Sequence, residues 1–294
     1  MNGFFFELRH AFTRDNNSLY KLLAVNIAVF AVVLVAQVIL KLSGLGELYE
    51  SIMKQLAIPS NLSLLATRPW TIITYMFLHE GFFHVLFNML FLYWFGRLLF
   101  DFIGSKHVFS LYVLGGIAGA IAYVAIYNIS PYFSEGTVAN STMLGASAGV
   151  FAIVVGAATF MPNFTFHLLL LGPVKIKYIA IFYVILSFAN TVSANAGGEI
   201  AHLGGALLGF LYIIQLRRGN DWSKSVMWVK RLFKRNPKIK VSYRRSQSNN
   251  KTQNTDPTQV TQEEIDAILD KIAEKGYSNL SKSEKEKLFN ASKK

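Results

Sequence analysis

A serine and a histidine that lie inside apolar segments are the residues of this sequence best suited to covalent chemistry. Ser147 is the centre of the sequence GASAG (residues 145–149), and His202 lies in AHLGG (residues 201–205). Serine becomes a nucleophile when a base takes its proton, and histidine is the usual base. Taken singly, Ser147 is more often a hydroxyl bonded back to its own helix, and His202 a satisfied buried imidazole. Together they predict a nucleophile and its base, provided that the two side chains share a depth.

A third polar group consists of His79, His84 and Asn88. His84 and Asn88 are four residues apart, so on a helix they project within about 40° of each other. Both offer neutral donors of the kind that stabilises negative charge on a carbonyl oxygen. The backbone N–H of Ser147, close to a helix N-terminus, would add another donor. These residues predict an oxyanion site beside the serine.

Glycine spacing indicates that the helices carrying Ser147 and His202 approach each other closely. Backbones of membrane helices come together where small residues lie between them, as in a Gly-xxx-Gly pair. The glycines concerned are Gly145, Gly149 and Gly156 near the serine, and Gly205 and Gly209 after the histidine. Alone they indicate ordinary helix packing, but here they would also allow the two side chains to meet.

Two patterns suggest other chemistry and fail on geometry. HEGFFH resembles the HExxH zinc motif, but His79 and His84 are five residues apart, which on a helix separates them by about 140°. GASAG resembles the nucleophile elbow of α/β-hydrolases, which needs a strand–turn–helix context, whereas here it opens an apolar helix. The chain has no cysteine, so thiolate ligands and disulfides are excluded. We expect neither a metal nor a cofactor.

Composition indicates that membrane helices position these residues. The chain of 294 residues is 52% hydrophobic and 16% charged, with a mean hydropathy of +0.35, whereas a soluble domain carries more charge. Apolar runs of about 18 residues are long enough to cross a bilayer. We predict an all-α membrane protein with six spans within residues 20–216, after an N-terminal segment of residues 1–19. The spans are Tyr20–Leu40, Phe83–Ile103, Val108–Tyr127, Met143–Phe160, a short Ile179–Thr191 and Ile200–Leu216.

The distribution of Lys and Arg predicts the orientation of these spans. Basic residues concentrate on the cytoplasmic side of membrane helices. They precede the first and fifth predicted spans and follow the second and sixth, whereas the loops 128–142 and 192–199 contain none. Both termini are then cytoplasmic, and residues 41–78 form an ordered loop that is partly embedded in the membrane interface. Only Lys41, Lys54 and Arg68 in this loop run against the predicted topology. This topology places Ser147, His202 and the third polar group in the same outer leaflet.

The C-terminal part of the sequence explains the net charge of +12. Residues 217–251 contain twelve Lys or Arg and one acid, directly after the last span. Such a run is typical of a topology determinant that contacts anionic lipid headgroups, and no motif accompanies it that would indicate nucleic-acid binding. We predict a basic juxtamembrane segment and a disordered linker over residues 217–260. A small cytoplasmic helical hairpin follows over 261–294, opened by a capping box at Thr261–Glu264.

The sequence resembles the rhomboid family of intramembrane proteases over residues 68–216. The resemblance rests on three motifs in the family's order: His84-x-x-x-Asn88, the Gly-Ala-Ser of residues 145–147, and AHxxGxxxG over residues 201–209. It implies a six-helix rhomboid bundle and a Ser–His dyad without a third acid. Ser147 would be the nucleophile and His202 the base and acid. Oxyanion stabilisation by His84 and Asn88 is likewise implied by the resemblance.

The resemblance also assigns supporting positions and exposes two departures. It implies that His79 supports the site at a loop boundary, that Gly145 is the glycine before the nucleophile, and that Phe151 packs beneath the histidine ring. Ala148 stands where the family usually has glycine after the nucleophile. Phe100, followed by an aspartate, stands where the family tends to have glutamate.

The function implied by the resemblance is cleavage of transmembrane protein substrates through an acyl-enzyme. The alternative is a catalytically inactive rhomboid-like membrane chaperone or sorting protein, a class marked by loss of the serine or histidine. A small transporter is disfavoured, because no internal repeat is evident. The lack of a transit peptide in the sequence favours a bacterial plasma membrane.

Overall fold

The protein is described by a computed structural model that covers residues 17–168, 172–232 and 262–292. Most of these residues are helical. The helices are α1 (Ser18–Leu42), α2 (Gly46–Leu56), α3 (Leu62–Thr67), α4 (Thr71–Thr74), α5 (Phe82–Ile103), α6 (Ser105–Ile129), α7 (Glu135–Asn140), α8 (Ser147–Phe160), α9 (Ile176–Ala189), α10 (Ala196–Arg217), α11 (Ser223–Leu232), α12 (Gln262–Lys275) and α13 (Lys282–Ala291). The strands are β1 (Ile58–Pro59), β2 (Thr142–Met143), β3 (Thr165–Leu168) and β4 (Gly172–Lys175). Short 3-10 turns cover Tyr75–Phe77 and Tyr277–Asn279.

Four of the described helices, α1, α5, α6 and α10, are long and apolar enough to cross a membrane. Their outward faces are apolar: on α1, for example, Val32 is 68% exposed and Ile39 is 58% exposed. Surfaces of this kind are stable when lipid rather than water surrounds them. The chain is therefore an integral membrane protein with a helical fold, as predicted.

The two remaining apolar helices, α8 and α9, have 14 residues each. At 1.5 Å per residue each is about 21 Å long, against roughly 30 Å for the hydrocarbon core of a bilayer. The prediction of six spans therefore stays a prediction for these two helices. Helix α9 begins and ends slightly earlier than the predicted segment Ile179–Thr191. Helix α8 begins at Ser147, four residues later than the predicted start at Met143.

The late start of α8 is caused by a small sheet that a hydropathy pattern does not reveal. Strand β2, directly before the GASAG sequence, pairs antiparallel with β1, with Ile58 opposite Met143. Ser60 continues this pairing, and its N–H donates to the Ser141 carbonyl at 3.1 Å. The side chain of Asn128 donates to the Ser60 carbonyl at 2.9 Å. The chain is thus extended up to the residues that precede Ser147.

The long connection between α1 and α5 is ordered, as expected of the loop at residues 41–78. It contains α2, β1, α3, α4 and a 3-10 turn. Two tyrosines fasten it to α6: the Tyr75 hydroxyl donates to the Gly116 carbonyl at 2.6 Å, and the Tyr112 hydroxyl donates to the Met76 carbonyl at 2.7 Å. This loop forms the wall against which the start of α8 rests.

Helices α6, α8 and α10 pack with their backbones almost in contact. A Cβ added to Gly205 of α10 would collide with the carbonyl of Ala148, and one added to Gly209 would collide with the carbonyl of Ala152. Both partners are on α8. Small residues on facing helices allow this approach, so the Gly-xxx-Gly pair predicted from sequence lies at the interface between the helices of Ser147 and His202.

The described part of the basic segment forms α11. Trp222, which precedes it, packs edge-on against Tyr212 of α10, with ring centroids 6.1 Å apart. Trp228 on the helix is 62% exposed, four residues after Lys224 in the sequence. An amphipathic helix with an exposed tryptophan is suited to a membrane surface. The linker prediction for residues 233–261, like the N-terminal segment up to residue 16, lies outside the described residues.

A second compact unit contains α12 and α13. The predicted capping threonine, Thr261, lies outside the described residues. A capping box is present instead at the start of α13, where Ser281 and Glu284 exchange side-chain-to-backbone hydrogen bonds. Lys271 binds Glu284 at 2.7 Å. With Lys271 and the Ser281 backbone as partners, the pKa of the Glu284 carboxyl is lowered to about 2.

Candidate active site

Ser147 occupies the first position of α8, at the end of an extended approach. Gly145 turns the chain into the helix with a φ of +137°, which a residue with a side chain adopts only under strain. The Gly145 N–H donates to the Tyr75 carbonyl at 2.9 Å, which holds the turn against the long loop. The first backbone hydrogen bond of the helix is donated by Val150, so the Ser147 N–H keeps its donor free at the positive end of the helix dipole.

Ser147 and His202 line one cavity of about 520 Å³. His84 and Asn88 of α5 line the same cavity, so the four residues that the motifs singled out lie around one space. Apolar side chains of α5, α8 and α9 complete much of the wall. They are Phe87, Phe91, Val150, Phe151, Val154 and Tyr183. A mainly apolar cavity with a few convergent polar groups is typical of a binding or catalytic site.

The His202 ring is held on three sides. Phe151 of α8 stacks on it, with ring centroids 4.2 Å apart and planes inclined by 8°. The Nδ1 atom lies 3.2 Å from Oε2 of Glu199 and 3.1 Å from the hydroxyl of Ser187. The Ser147 hydroxyl and the His202 ring line the same cavity, and no direct hydrogen bond joins them in the part of the chain that the structure describes.

His84 presents a donor to the cavity. The backbone N–H of Glu80 points at His84 Nδ1, at 3.5 Å, and an acceptor at Nδ1 requires that the neutral ring carries its proton on Nε2. A Cβ placed on Gly145 would be 3.3 Å from that Nε2 and 3.4 Å from the Ser147 hydroxyl. The Nε2 atom of His84 and the Ser147 hydroxyl thus both lie next to Gly145 and line the same cavity.

Asn88 supplies a second donor of the same helix. Its side chain is largely buried, and one N–H of the amide donates to the His84 carbonyl at 2.8 Å. An amide nitrogen has two hydrogens, so one remains for the cavity. With the N–H of Ser147, three donors belong to residues that line the cavity of the Ser147 hydroxyl, and such a set of donors can stabilise a developing oxyanion.

His79 packs against His84 on the side away from the cavity. It does not line the cavity, is 4% exposed, and packs edge-on against the His84 ring, with centroids 5.2 Å apart. Neither ring nitrogen has a hydrogen-bond partner of normal geometry among the described residues. Burial, with a smaller contribution from His84, lowers the pKa of the His79 imidazole to about 4. His79 is thus a neutral ring at neutral pH.

His79 lies outside a helix, contrary to the helical spacing expected for the HEGFFH sequence. Helix α5 begins at Phe82, so His79 precedes it and the helical angle between the two histidines does not apply. Their rings in fact touch. In the part of the chain that the structure describes, no group of three or more His, Asp, Glu or Cys residues is placed to hold a metal ion.

The alanine that follows Ser147 points away from the cavity. Ala148 is 1% exposed, and its methyl group faces Gly119 of α6. A Cβ added to Gly119 would lie 2.5 Å from the Ala148 methyl carbon. The absence of a side chain at Gly119 therefore makes room for the extra methyl group. Gly149 faces α6 as well, where an added Cβ would be 2.7 Å from the Tyr112 carbonyl.

The second departure from the family pattern leads to a local ion pair. Asp101, next to Phe100, binds Arg97 at 3.0 Å. The guanidinium of Arg97 also donates to the Tyr20 hydroxyl of α1 at 2.8 Å. These contacts join α5 to α1. They lie later on α5 than Phe91, the last residue of that helix that lines the cavity.

Two residues at the site were not singled out in the sequence. Glu199 is three residues before His202, a spacing that brings side chains together on a helix, so this contact was readable from the sequence. Ser187 is 2% exposed and belongs to α9. Its contact with His202 depends on how two helices pack, and no local pattern marks it.

Comparison with known proteins agrees with this architecture. A family model for the rhomboid domain matches residues 66–219, more than half of the chain. The chain belongs to the rhomboid family. The resemblance stated from the motifs is thereby confirmed. A second model, for a family of unknown function (DUF6576), matches residues 256–294.

The rhomboid relatives come from different compartments and organisms. Rhomboid protein 1, mitochondrial, of Saccharomyces cerevisiae is 28% identical over 209 residues, covering 68% of this chain and 53% of that protein. RHOMBOID-like protein 12, mitochondrial, of Arabidopsis thaliana is 28% identical over 51% of this chain and 47% of that protein. YdcA of Bacillus subtilis, whose name describes a candidate rhomboid protease, is 32% identical over 51% of this chain and 70% of that protein. The chain thus spans about half the length of the first two relatives.

Proposed function

We propose that this protein is an intramembrane serine endopeptidase that cleaves transmembrane segments of other membrane proteins. The observation that carries the proposal is the single cavity lined by Ser147, His202, His84 and Asn88. A nucleophile, a base and neutral donors are the groups that acyl transfer requires. Membership of the rhomboid family supports the same reading.

The first half of the reaction would form an acyl-enzyme. The Ser147 oxygen attacks the carbonyl carbon of the scissile peptide bond while Nε2 of His202 takes the hydroxyl proton. The carbonyl oxygen becomes an oxyanion, which the N–H donors of Ser147, His84 and Asn88 stabilise. When the C–N bond breaks, the His202 imidazolium gives its proton to the leaving amine. Each missing oxyanion donor costs about 10²–10³-fold in rate in enzymes of this type.

The second half would release the acyl group by hydrolysis. A water molecule attacks the ester carbonyl while His202 takes one of its protons, and the same proton is then returned to the Ser147 oxygen. The product leaves with a new carboxyl group. An extended chain rather than a helix precedes Ser147, and the cavity of about 520 Å³ that Ser147 lines can admit water as well as a substrate strand.

The proposal includes the topology predicted from charge. We propose six spans with both termini on the cytoplasmic side, which brings the cavity near the external face of the membrane. The basic residues after α10 would then contact anionic headgroups of the cytoplasmic leaflet. The assignment to a bacterial plasma membrane stays a prediction.

The test compares purified wild-type protein with Ser147→Ala and His202→Ala variants on several model transmembrane substrates in detergent. We expect cleavage by the wild type and none by either variant. A fluorophosphonate probe should label the wild type and Ser147→Ala should abolish the label. Cleavage that persists in Ser147→Ala, or a folded wild type that neither cleaves nor reacts with the probe, would instead favour the chaperone or sorting class.

A further inference from the structure

We propose that Glu199 is a third member of the catalytic group, a positioning residue that fixes the proton of His202 on Nδ1. The inference rests on the proposed serine chemistry and adds an acid to the dyad that the family resemblance implies. Its starting point is the contact between Glu199 Oε2 and His202 Nδ1, at 3.2 Å. A positioning residue acts through another group and does not touch the substrate.

The contact decides which nitrogen is available as the base. An ionised carboxylate can only accept hydrogen bonds, so the Nδ1 atom beside Glu199 must carry the proton. The Nε2 atom of the neutral ring then has the free lone pair. Only this tautomer can take the proton of Ser147, because Nδ1 is occupied by Glu199 and by the hydroxyl of Ser187.

The two histidines of the site are therefore held in opposite tautomers. A backbone N–H that donates to Nδ1 of His84 leaves Nε2–H as a donor for the oxyanion. A carboxylate that accepts from Nδ1 of His202 leaves Nε2 as an acceptor for the serine proton. The different neighbours of the two Nδ1 atoms give chemically identical rings their different tasks.

The surroundings strengthen the interaction. The side chains of Glu199 and His202 are only 17% and 15% exposed, and electrostatic interactions are stronger where water is partly excluded. Glu199 lies in the first turn of α10, where the helix dipole stabilises a negative charge. When His202 takes the serine proton, the carboxylate beside Nδ1 stabilises the imidazolium that forms, as the aspartate does in Ser-His-Asp enzymes.

The ring is also prevented from turning away. Phe151 covers one face of the imidazole in a stacked geometry, while Ser187 on α9 is buried and reaches the same Nδ1 edge. A ring flip would place Nε2 beside the carboxylate and remove the base from the cavity. Glu199, Ser187 and Phe151 together hold one orientation.

The experiment uses the full chain in detergent and compares Glu199→Gln with the wild type. Gln keeps the shape but presents both a donor and an acceptor, so it no longer dictates the tautomer. We expect kcat to fall about 10–100-fold, with KM nearly unchanged; this is at most the lower limit of the roughly 10²–10⁴-fold that a well-placed base contributes, because the base itself is retained. Glu135→Gln on α7, an exposed helix-start glutamate, is the matched control and should leave kcat unchanged.

A spectroscopic readout separates positioning from simple damage to the fold. The chain has six histidines, so selective ¹⁵N-histidine labelling with a His202→Gln variant assigns the His202 ring. We expect the wild-type ring to be protonated on Nδ1 at a pH where it is neutral, and the Glu199→Gln ring to gain the Nε2–H form. An unchanged kcat, or a reduced kcat with the wild-type tautomer retained, would overturn the positioning role.

The two readouts also separate this inference from the proposed function. If the wild type cleaves no substrate and reacts with no probe, the protease assignment fails, while the ring protonation still reports on Glu199. If the wild type cleaves and Glu199→Gln keeps both the tautomer and the rate, the protease assignment stands and the third residue is excluded.

Discussion

Replacement of Gly205 by alanine should separate the helices that carry the nucleophile and the base. A Cβ at this position would lie 2.8 Å from the Ala148 carbonyl carbon and closer still to its oxygen, whereas ordinary contact begins at 3.4 Å. Helices α8 and α10 must therefore part by at least about 0.6 Å. Because the obstacle is backbone, no side-chain rotation can relieve it.

The Gly205→Ala substitution should reduce both the stability and the activity of the protein. Overpacking of this kind costs about 1–3 kcal/mol, partly offset by the roughly 1 kcal/mol by which alanine exceeds glycine in a helix. Each kcal/mol lost should lower Tm by about 2–4 °C in a chain of this size. Since a misplacement of about 1 Å costs on the order of 10²-fold in rate, we expect activity to suffer more than stability.

Gly156→Ala is the matched control, because it lies at the same helix pair without the clash. Its added Cβ would be 3.5 Å from Leu111 and 3.6 Å from the Gly209 carbonyl, which is ordinary contact. We expect its Tm and proteolysis to equal or exceed those of the wild type. The assay is thermal unfolding in detergent together with cleavage of a model transmembrane substrate. Equal activity of the Gly205→Ala and Gly156→Ala variants would refute the reasoning that backbone contact sets the Ser147–His202 separation.

Three further predictions concern the surroundings of the site. His79→Gln should flatten the pH dependence of Tm, because burial lowers the pKa of the folded imidazole from 6.5 to about 4. The free energy of unfolding of the wild type should therefore fall by up to about 3 kcal/mol as the pH falls from 6.5 to 4. A variant whose stability falls by the same amount would contradict this. Phe151→Leu should lower kcat, because it removes the ring stacked on His202. The lost aromatic pair should also lower the free energy of unfolding by about 0.5–1.5 kcal/mol. A kcat equal to that of the wild type would exclude a role of Phe151 in orienting His202. Gly145→Ala should lower Tm, since a φ of +137° costs a residue with a side chain about 1–3 kcal/mol. It should also reduce labelling of Ser147 by a serine-directed probe. An unchanged Tm would contradict the prediction, because it would mean that the turn adopts another φ without cost.

The sequence alone was sufficient for those features that depend on local spacing. Long apolar runs identify α1, α5, α6 and α10 as membrane helices, because a bilayer imposes length and composition on any helix that crosses it. His84 and Asn88 face one side because they are four residues apart on α5. The glycines at 205 and 209 predicted close packing of α10, and the collision of any added Cβ with α8 is the reason why they are glycines.

Only the tertiary structure decided where the helix of the nucleophile begins and which groups surround the base. Residues 143–146 are as apolar as those that follow, but β2 is extended because it pairs with β1, more than eighty residues earlier in the chain. The hydrogen bond from Gly145 to Tyr75 and the contact of Ser187 with His202 likewise join distant segments. Hydropathy and residue spacing predict whether a segment is helical and which of its side chains share a face. Contacts between segments are determined by which groups find partners after packing, and these contacts set the position of Ser147 and bring Ser187 to the His202 ring.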